Sequence, residues 1–135
     1  MEKVLLDTNV LLAATINPEV LPLEVQKQLS DPTCTVFFSA ASIWEIAIKR
    51  SLGKESFDFE PEDIYGLALE TGFTELPVVS RHCFALSRLA WHHRDPFDRL
   101  LVSQAQSIPA YLFTTDGVLE NYSDLVRKIA LRGRA

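Results

Sequence analysis

The strongest indication of fold class is Thr35-Val36-Phe37-Phe38, which runs directly into Ser39-Ala40-Ala41-Ser42-Ile43-Trp44-Glu45. The first four residues are rich in β-branched and aromatic side chains, which is typical of a strand that is buried on both faces. Ser39 is a favourable N-cap, and the apolar pattern after it predicts a helix to Leu52, with Gly53 as its stop. A buried strand followed at once by a helix is the repeating unit of parallel sheets.

Similar strand and helix patterns alternate on both sides of this stretch. Strands are predicted over Val4–Leu6 and Ala110–Thr114, and a weaker edge strand, broken by Pro77, over residues 73–79. Helices are predicted over residues 10–14, 22–30, 61–72, 80–91 (with Ser80 as N-cap) and 96–107, with a short one after residue 117. Helices between buried strands predict an α/β fold with three layers, in which helices cover both faces of a parallel sheet.

The length of 135 residues predicts one domain over 1–135, with residues 127–135 as a flexible basic tail. No apolar run has the length of a membrane span, and the first residues lead straight into strand-like sequence, so no leader peptide is expected. Cys34 and Cys83 have no metal-motif spacing. We therefore expect a cytoplasmic protein with reduced thiols and no membrane partner.

Charge limits the ways in which this chain could contact nucleic acid. The formal net charge is −5, and residues 55–75 carry seven acids and no base. This argues against a broad basic surface for phosphate neutralisation. An acidic protein can still act on nucleic acid if bound metal ions take over part of the phosphate contact.

Two acidic residues stand at the carboxyl ends of predicted strands. Asp7 closes the first strand, and Asp116 follows the last one. Ligands of open parallel sheets bind at that edge, near the point where strand order reverses. Taken singly, Asp7 could be a helix cap, although Thr8 or Asn9 could also cap, and Asp116-Gly117 could be an ordinary turn.

Two further acids lie on apolar faces of predicted helices. Glu45 shares its face with Ile48 and Leu52, where a carboxylate is costly unless it is paired or bound to a metal. The alternative for Glu45 is a surface pair with Lys49. In Asp95-Pro96-Phe97-Asp98, Asp95 has the position of an N-cap, whereas Asp98 shares a face with apolar residues and is predicted to belong to the site.

Four converging carboxylates could not all stay ionised without a cation. Oxygen ligands without cysteine favour Mg²⁺ or Mn²⁺ over zinc. Such ions activate water and stabilise the leaving oxygen in phosphodiester hydrolysis, with no need for a covalent nucleophile. We therefore predict a metal site and catalytic centre made of Asp7, Glu45, Asp98 and Asp116.

The chain resembles the PIN-domain ribonucleases and, among them, the VapC-type toxins of bacterial toxin–antitoxin pairs. The matching stretches occur in the family's order and cover nearly the whole chain: Leu5–Leu12, Ser39–Lys49, His92–Leu101 and Thr114–Asp116. The resemblance implies Mg²⁺- or Mn²⁺-dependent cleavage of RNA, a homodimer, and inhibition by a cognate antitoxin in the active-site groove. It also maps the family's acidic residues onto Asp7, Glu45, Asp98 and Asp116, and favours Asp7 and Asp98 as the direct metal ligands.

Other polar residues near these acids are weaker candidates. The resemblance assigns a supporting role to Thr115, to which we add Asn9, and it marks Gly117 as a departure, since many relatives have a basic residue there. Possible RNA contacts are Lys49, Arg50, Arg94 and Arg99, each of which could equally be ordinary helix-surface charge. His92 and His93 could act as general bases, but a metal-activated water makes a histidine base unnecessary.

Three other functions are found among small α/β domains with clustered acids or with this fold. A haloacid dehalogenase-like phosphatase would need a second acid where this chain has Asn9, and a response-regulator-like receiver would need a lysine after a late strand, where the chain has Asp116. The alternative from a different class is a non-catalytic module of the same fold that binds RNA or protein. The intact set of four acids argues against it.

Overall fold

The computed structural model describes residues 2–53 and 58–133. Its centre is a parallel sheet in the order β3-β2-β1-β4-β5. The strands of this sheet are β1 (Glu2–Leu6), β2 (Cys34–Ser39), β3 (Thr74–Leu76), β4 (Tyr111–Thr114) and β5 (Val126–Lys128). The weak strand that contains Pro77 was predicted at an edge, and β3 is indeed an edge strand, shortened to three residues.

Helices connect the strands and cover the sheet. They are α1 (Thr8–Ile16), α2 (Leu23–Ser30), α3 (Ala40–Ser51), α4 (Pro61–Glu70), α5 (Ser80–Leu86) and α6 (Pro96–Ser107), with short 3₁₀ helices at Pro18–Val20 and Gly117–Asn121. Two predicted ends of α3 are confirmed. The Ser39 side chain accepts from the Ala41 N–H, and Gly53 follows the helix with φ of 72°, which a side chain would strain.

The two faces of the sheet bury separate cores, because side chains alternate along each strand. On one face, Val4 and Leu6 pack with Val36 and Phe38 beneath α1 to α4. On the other face, Leu5 and Leu112 pack with the apolar side of α6. The predicted three-layer α/β/α fold with a parallel sheet is therefore confirmed.

Several predicted features differ from the structure. The helix predicted over residues 80–91 ends at Leu86, and Ser80 is its first residue rather than its N-cap, which is Val79. The first helix is capped by Asp7 itself rather than by Thr8 or Asn9.

The predicted flexible tail is wrong at its start. Arg127 and Lys128 belong to β5, Ile129 is buried and donates its N–H to the Thr114 carbonyl at 2.7 Å, and Arg132 donates to Val20. Residues 134 and 135 lie outside the described residues. Within the described ranges, both cysteines are free thiols, and no helix is long and apolar enough to cross a bilayer.

The strand order reverses between β1 and β4. From β1 the chain moves outward to β2 and β3, and it later returns to the other side of β1 with β4 and β5. A crevice at the carboxyl edge is expected at such a point. Asp7 follows β1 and Asp116 follows β4, so both acids flank this crevice.

Candidate active site

A polar cavity of about 550 Å³ opens at the carboxyl edge of the sheet, beside the point of strand reversal. All four predicted carboxylates line it, as do Thr115 and Asn9. The complete lining is Asp7, Thr8, Asn9, Glu45, Lys49, Asp95, Asp98, Thr115, Asp116, Gly117 and Lys128. Acids that are more than one hundred residues apart in the chain are thus brought together by the fold.

Asp7 ties the ends of two strands together. One carboxylate oxygen accepts from the Val10 N–H at 2.8 Å, and the other accepts from the Thr115 N–H at 3.1 Å. The residue is 4% exposed, and this burial raises its pKa to about 6 even though these hydrogen bonds lower it. Capping and site functions are therefore combined in one side chain.

Glu45 projects from α3 into the same cavity and is 6% exposed, as its apolar helix face predicted. Its Oε1 accepts from the Thr8 hydroxyl at 2.6 Å, and its Oε2 pairs with the Lys49 ammonium at 2.7 Å. Glu45 therefore lines the cavity and also forms the ion pair with Lys49, which the sequence offered as an alternative. Glu45 is thereby held in one orientation toward Asp7.

Asp98 lies in the first turn of α6 and lines the same cavity. Burial raises the pKa of its carboxyl to about 7, with further contributions from the negative charges of Asp95 and Asp7. Asp95 caps the helix as predicted, since its Oδ1 accepts from the Phe97 and Asp98 N–H groups at 2.9 and 3.4 Å. Asp95 also lines the cavity, which its capping position alone did not indicate.

Asp116 is held from two directions. Its Oδ1 accepts from the Val118 N–H at 3.0 Å, and its Oδ2 lies 2.6 Å from His93 Nε2. The His93 Nδ1 accepts from the Asp95 N–H at 2.9 Å, so the neutral ring carries its proton on Nε2 and donates to Asp116.

His93, Asp98 and Asp116 bring ligand atoms within 4.8 Å of one another, an arrangement that could hold a cation. A protonated Nε2 has no lone pair for a metal, however. The hydrogen bond that reaches Nδ1 therefore makes His93 a donor to Asp116 rather than a metal ligand.

The predicted supporting residues, Asn9 and Thr115, are linked by a hydrogen bond at the edge of the cavity. The Asn9 amide donates to the Thr115 hydroxyl at 3.2 Å, while the backbone N–H of Thr115 donates to Asp7. Thr115 thus orients a carboxylate, but through its backbone rather than its hydroxyl. Asn9 is exposed and holds the hydroxyl from outside.

The predicted basic residues have different surroundings. Lys49 lines the cavity and pairs with Glu45. Arg50 pairs with Asp58 and, at 2.7 Å, with Glu60, and Arg94 is exposed; neither is part of the lining given above. Arg50 and Arg94 therefore stay predictions as RNA contacts without support from the geometry.

Arg99 does not fit its predicted contact with RNA. Its guanidinium is buried, donates to the carbonyls of Ala90 and Leu86 at 2.9 and 3.1 Å, and lies 3.8 Å from the centre of the Trp91 ring. One residue along a helix turns the side chain by about 100°. Asp98 therefore faces the cavity, whereas Arg99 ties α6 to the segment after α5.

Two residues of this region were undervalued or missed in the sequence. The sequence offers His93 only as a general base, because its position in the chain does not predict the hydrogen bond to Asp116. Lys128 was assigned to a tail, because a three-residue strand with two adjacent basic residues has no detectable alternation. Both reach the site through contacts between distant segments.

Comparisons with known proteins identify the family and the fold of this chain. The profile of the PIN domain family matches residues 4–125, and none of the curated proteins matches the chain significantly. Among solved structures, VapBC2 from Rickettsia felis, bound to a DNA fragment from the promoter, is similar with a TM-score of 0.72 and 15% identity over 94% of this chain and 98% of that one.

Two further solved structures have the same fold. VapBC-1 from nontypeable Haemophilus influenzae gives a TM-score of 0.61 and 16% identity, covering 93% of this chain and 97% of that chain. A domain of a functionally unknown protein from Methanocaldococcus jannaschii gives a TM-score of 0.63 and 17% identity, covering 100% and 96%. At these identities the similarity concerns the fold.

Proposed function

The chain belongs to the PIN domain family, and we propose that it is a metal-dependent endoribonuclease that acts as the toxin of a toxin–antitoxin pair. The observation that carries the proposal is the convergence of Asp7, Glu45, Asp98 and Asp116 on one cavity at the carboxyl edge of the sheet. Buried carboxylates are costly to a fold unless they are paired or bound to a metal, so this convergence favours a cation site.

The residues present fit a divalent cation. Burial raises the pKa of Asp7 to about 6 and, with neighbouring negative charges, that of Asp98 to about 7, so these carboxylates are costly to ionise unless a further cation joins the cluster. Asp7 and Asp98, with Glu45 and Asp116, would hold Mg²⁺ or Mn²⁺ through hard oxygen ligands. When bound, such an ion supplies activation of water and stabilisation of charge on phosphate oxygens.

Hydrogen bonds within the chain hold the carboxylates of this site in fixed orientations in the absence of substrate. Backbone N–H groups of Val10 and Thr115 fix both oxygens of Asp7, and Thr8 with Lys49 fixes Glu45. His93 fixes Asp116. Because these orientations exist in the fold itself, little reorganisation is needed when a phosphodiester binds.

The direct test is cleavage of a labelled single-stranded RNA with Mg²⁺ or Mn²⁺, with and without EDTA. We expect EDTA to abolish cleavage, and Asp7→Asn and Asp98→Asn to lower kcat/KM by about a hundredfold or more, because each loses a ligand. Asp124→Asn removes an exposed acid outside the cavity and serves as the matched control. Wild-type rates in Asp98→Asn would contradict the site assignment.

The same assay separates the alternative, a non-catalytic module of this fold. Such a module would bind RNA or protein, but added metal would release no fragments. The proposed enzyme gives fragments only with metal, and it loses them with either carboxylate variant while its melting temperature shows a folded protein. Fragments that persist in EDTA would contradict metal dependence and indicate a contaminating nuclease or another mechanism.

The proposed partners are RNA, a cognate antitoxin and a second copy of the chain. Support for the antitoxin comes from the resemblance to VapC-type toxins and from the fold shared with the VapBC structures. We expect expression to arrest growth in the cytoplasm, with relief by the antitoxin or by Asp98→Asn. Sedimentation equilibrium of the purified chain tests the expected homodimer.

A further inference from the structure

A lysine from the last strand reaches the acidic cavity across a glycine. Lys128 is the final residue of β5 and pairs in register with Thr114 of β4. Parallel strands end at one edge, so Lys128 emerges on the same side as Asp116, which follows β4. It borders the cavity, together with the four carboxylates.

Gly117 provides the space for this lysine. A Cβ atom at residue 117 would lie 3.2 Å from Lys128 Cδ and 3.8 Å from Cε, so the stem of the lysine crosses directly above the glycine. The φ of Gly117 is not positive, and its backbone conformation therefore does not require glycine. What this glycine contributes is room for a side chain that passes from β5 toward the site.

The charge distribution gives Lys128 a role that Lys49 does not have. The Lys49 ammonium is held by Glu45 at 2.7 Å. Within residues 2–53 and 58–133, Lys128 makes no ion pair, although Glu120 Oε1 lies 3.6 Å from the Cβ position at residue 117, beside the stem of Lys128. An RNA phosphate that approaches four carboxylates needs a cation at the rim.

We propose that Lys128 binds the phosphate backbone of the RNA substrate beside the carboxylate cluster. This inference rests on the proposed ribonuclease function and names the residue that holds its substrate. Lys128 is a substrate-binding residue and takes no part in metal binding. A lysine contacts phosphate as a point charge, so the contribution of Lys128 is independent of base sequence.

Removal of the ammonium tests this role. RNA binding is measured in the Asp98→Asn background, in which the RNA stays intact. The two variants compared are Lys128→Ala and, as a control, Lys27→Ala. Lys27 is an exposed lysine of α2 outside the cavity. We expect Lys128→Ala to weaken binding about tenfold, as for loss of one charged hydrogen bond. The slope of log K against log salt should fall by about 0.7, the value for one phosphate contact on a single strand. Lys27→Ala should change neither.

Relocation of the charge provides a readout that a structural role would not give. In the double variant Gly117→Lys with Lys128→Ala, the new stem starts in the space that Lys128 vacates, and binding and the salt slope should recover in part. Gly117→Lys alone should bind no better than the parent, because the new side chain meets Lys128 Cδ. Melting temperatures report whether each variant is folded.

The outcomes for the two proposals are distinguishable. Equal RNA binding and equal salt slopes for Lys128→Ala and Lys27→Ala would overturn the inference, and so would a loss in Lys128→Ala that Gly117→Lys does not restore at all. The binding measurement requires no cleavage. Failure of the wild-type chain to cut RNA would therefore count against the proposed function, while the binding data would still decide the role of Lys128.

Discussion

At the scale of single residues, His93 connects two halves of the site. It receives a hydrogen bond from the Asp95 N–H at Nδ1 and gives one to Asp116 at Nε2. The backbone N–H thus fixes the tautomer, and the ring fixes the carboxylate. This makes His93 a positioning residue that acts through Asp116.

Two amide variants separate the two ring nitrogens of His93. The nitrogen of a glutamine at this position reaches the place of Nε2, whereas the shorter asparagine reaches only the place of Nδ1. We expect His93→Asn to lower kcat about 10- to 100-fold, the usual effect of losing a group that orients a ligand. His93→Gln should retain most of the wild-type kcat. Equal losses in both variants would show that the ring itself is needed and would contradict a positioning role.

Residue chemistry explains which parts of the site could be predicted. Glu45 and Asp98 could be found because acids on apolar helix faces conflict with the local pattern, and Asp7 and Asp116 because both follow parallel strands that end at one edge of the sheet. His93 and Lys128 conflict with nothing in the sequence around them. Arg99 was placed near RNA on the basis of its proximity to Asp98 in the chain, whereas the helical turn directs it elsewhere.

At the scale of elements, the start of α6 combines a structural and a chemical task. Asp95 caps the helix through the Phe97 and Asp98 N–H groups, and the same turn holds Asp98 at the cavity. Pro96 at the first helical position supports this arrangement, since its missing N–H would be unpaired there in any case. The cap therefore sets the position of a candidate metal ligand.

Substitutions of Asp95 measure this cap. Asp95→Ala should lower the free energy of unfolding by about 1 kcal/mol, because the two backbone N–H groups lose their acceptor. Asp95→Asn keeps a capping oxygen and should cost less. Urea denaturation of both variants gives the comparison, and a larger loss of stability in the asparagine variant would contradict the capping role.

The elements that could be predicted are those with strong local patterns. The β2–α3 junction carries its own apolar run, N-cap and terminal glycine, and α6 carries its cap and proline. β5 and the end of α5 depend on packing instead. Val126 is buried against β4, whereas Arg127 and Lys128, the other two residues of β5, are exposed. A strand of three residues with one buried position gives no recognisable pattern.

At the scale of the whole molecule, the carboxylate cluster should weaken the metal-free fold at neutral pH. The pKa values of Asp7 and Asp98 are raised to about 6 and about 7 in the folded state. A carboxyl with a raised pKa binds its proton more tightly when folded. Its contribution to stability is present in acid and is lost as pH rises from the unfolded value through the folded one.

Thermal unfolding at two pH values tests this linkage. Without metal, Asp98→Asn should be more stable than wild type at pH 8, since a buried negative charge that Asp95 and Asp7 also repel is gone, and the difference should shrink toward pH 5. Mn²⁺ at a hundredfold excess over its Kd should stabilise the wild type by about 2.7 kcal/mol at pH 8. Protons compete at pH 5, so the metal effect should be smaller there. A wild type that is as stable as Asp98→Asn at pH 8 without metal would contradict the linkage, and an Asp98→Asn variant that gained the full Mn²⁺ stabilisation would contradict the role of Asp98 as a metal ligand.

The proposed function depends on one divalent-cation site that distant acids form on this fold. Anomalous diffraction from a crystal of the wild-type chain equilibrated with Mn²⁺ measures this directly. We expect an anomalous peak bound by the carboxylates of Asp7 and Asp98, and its loss in Asp98→Asn. At saturating Mn²⁺, a crystal with no peak between these residues, or with a peak only elsewhere on the protein, would contradict the account.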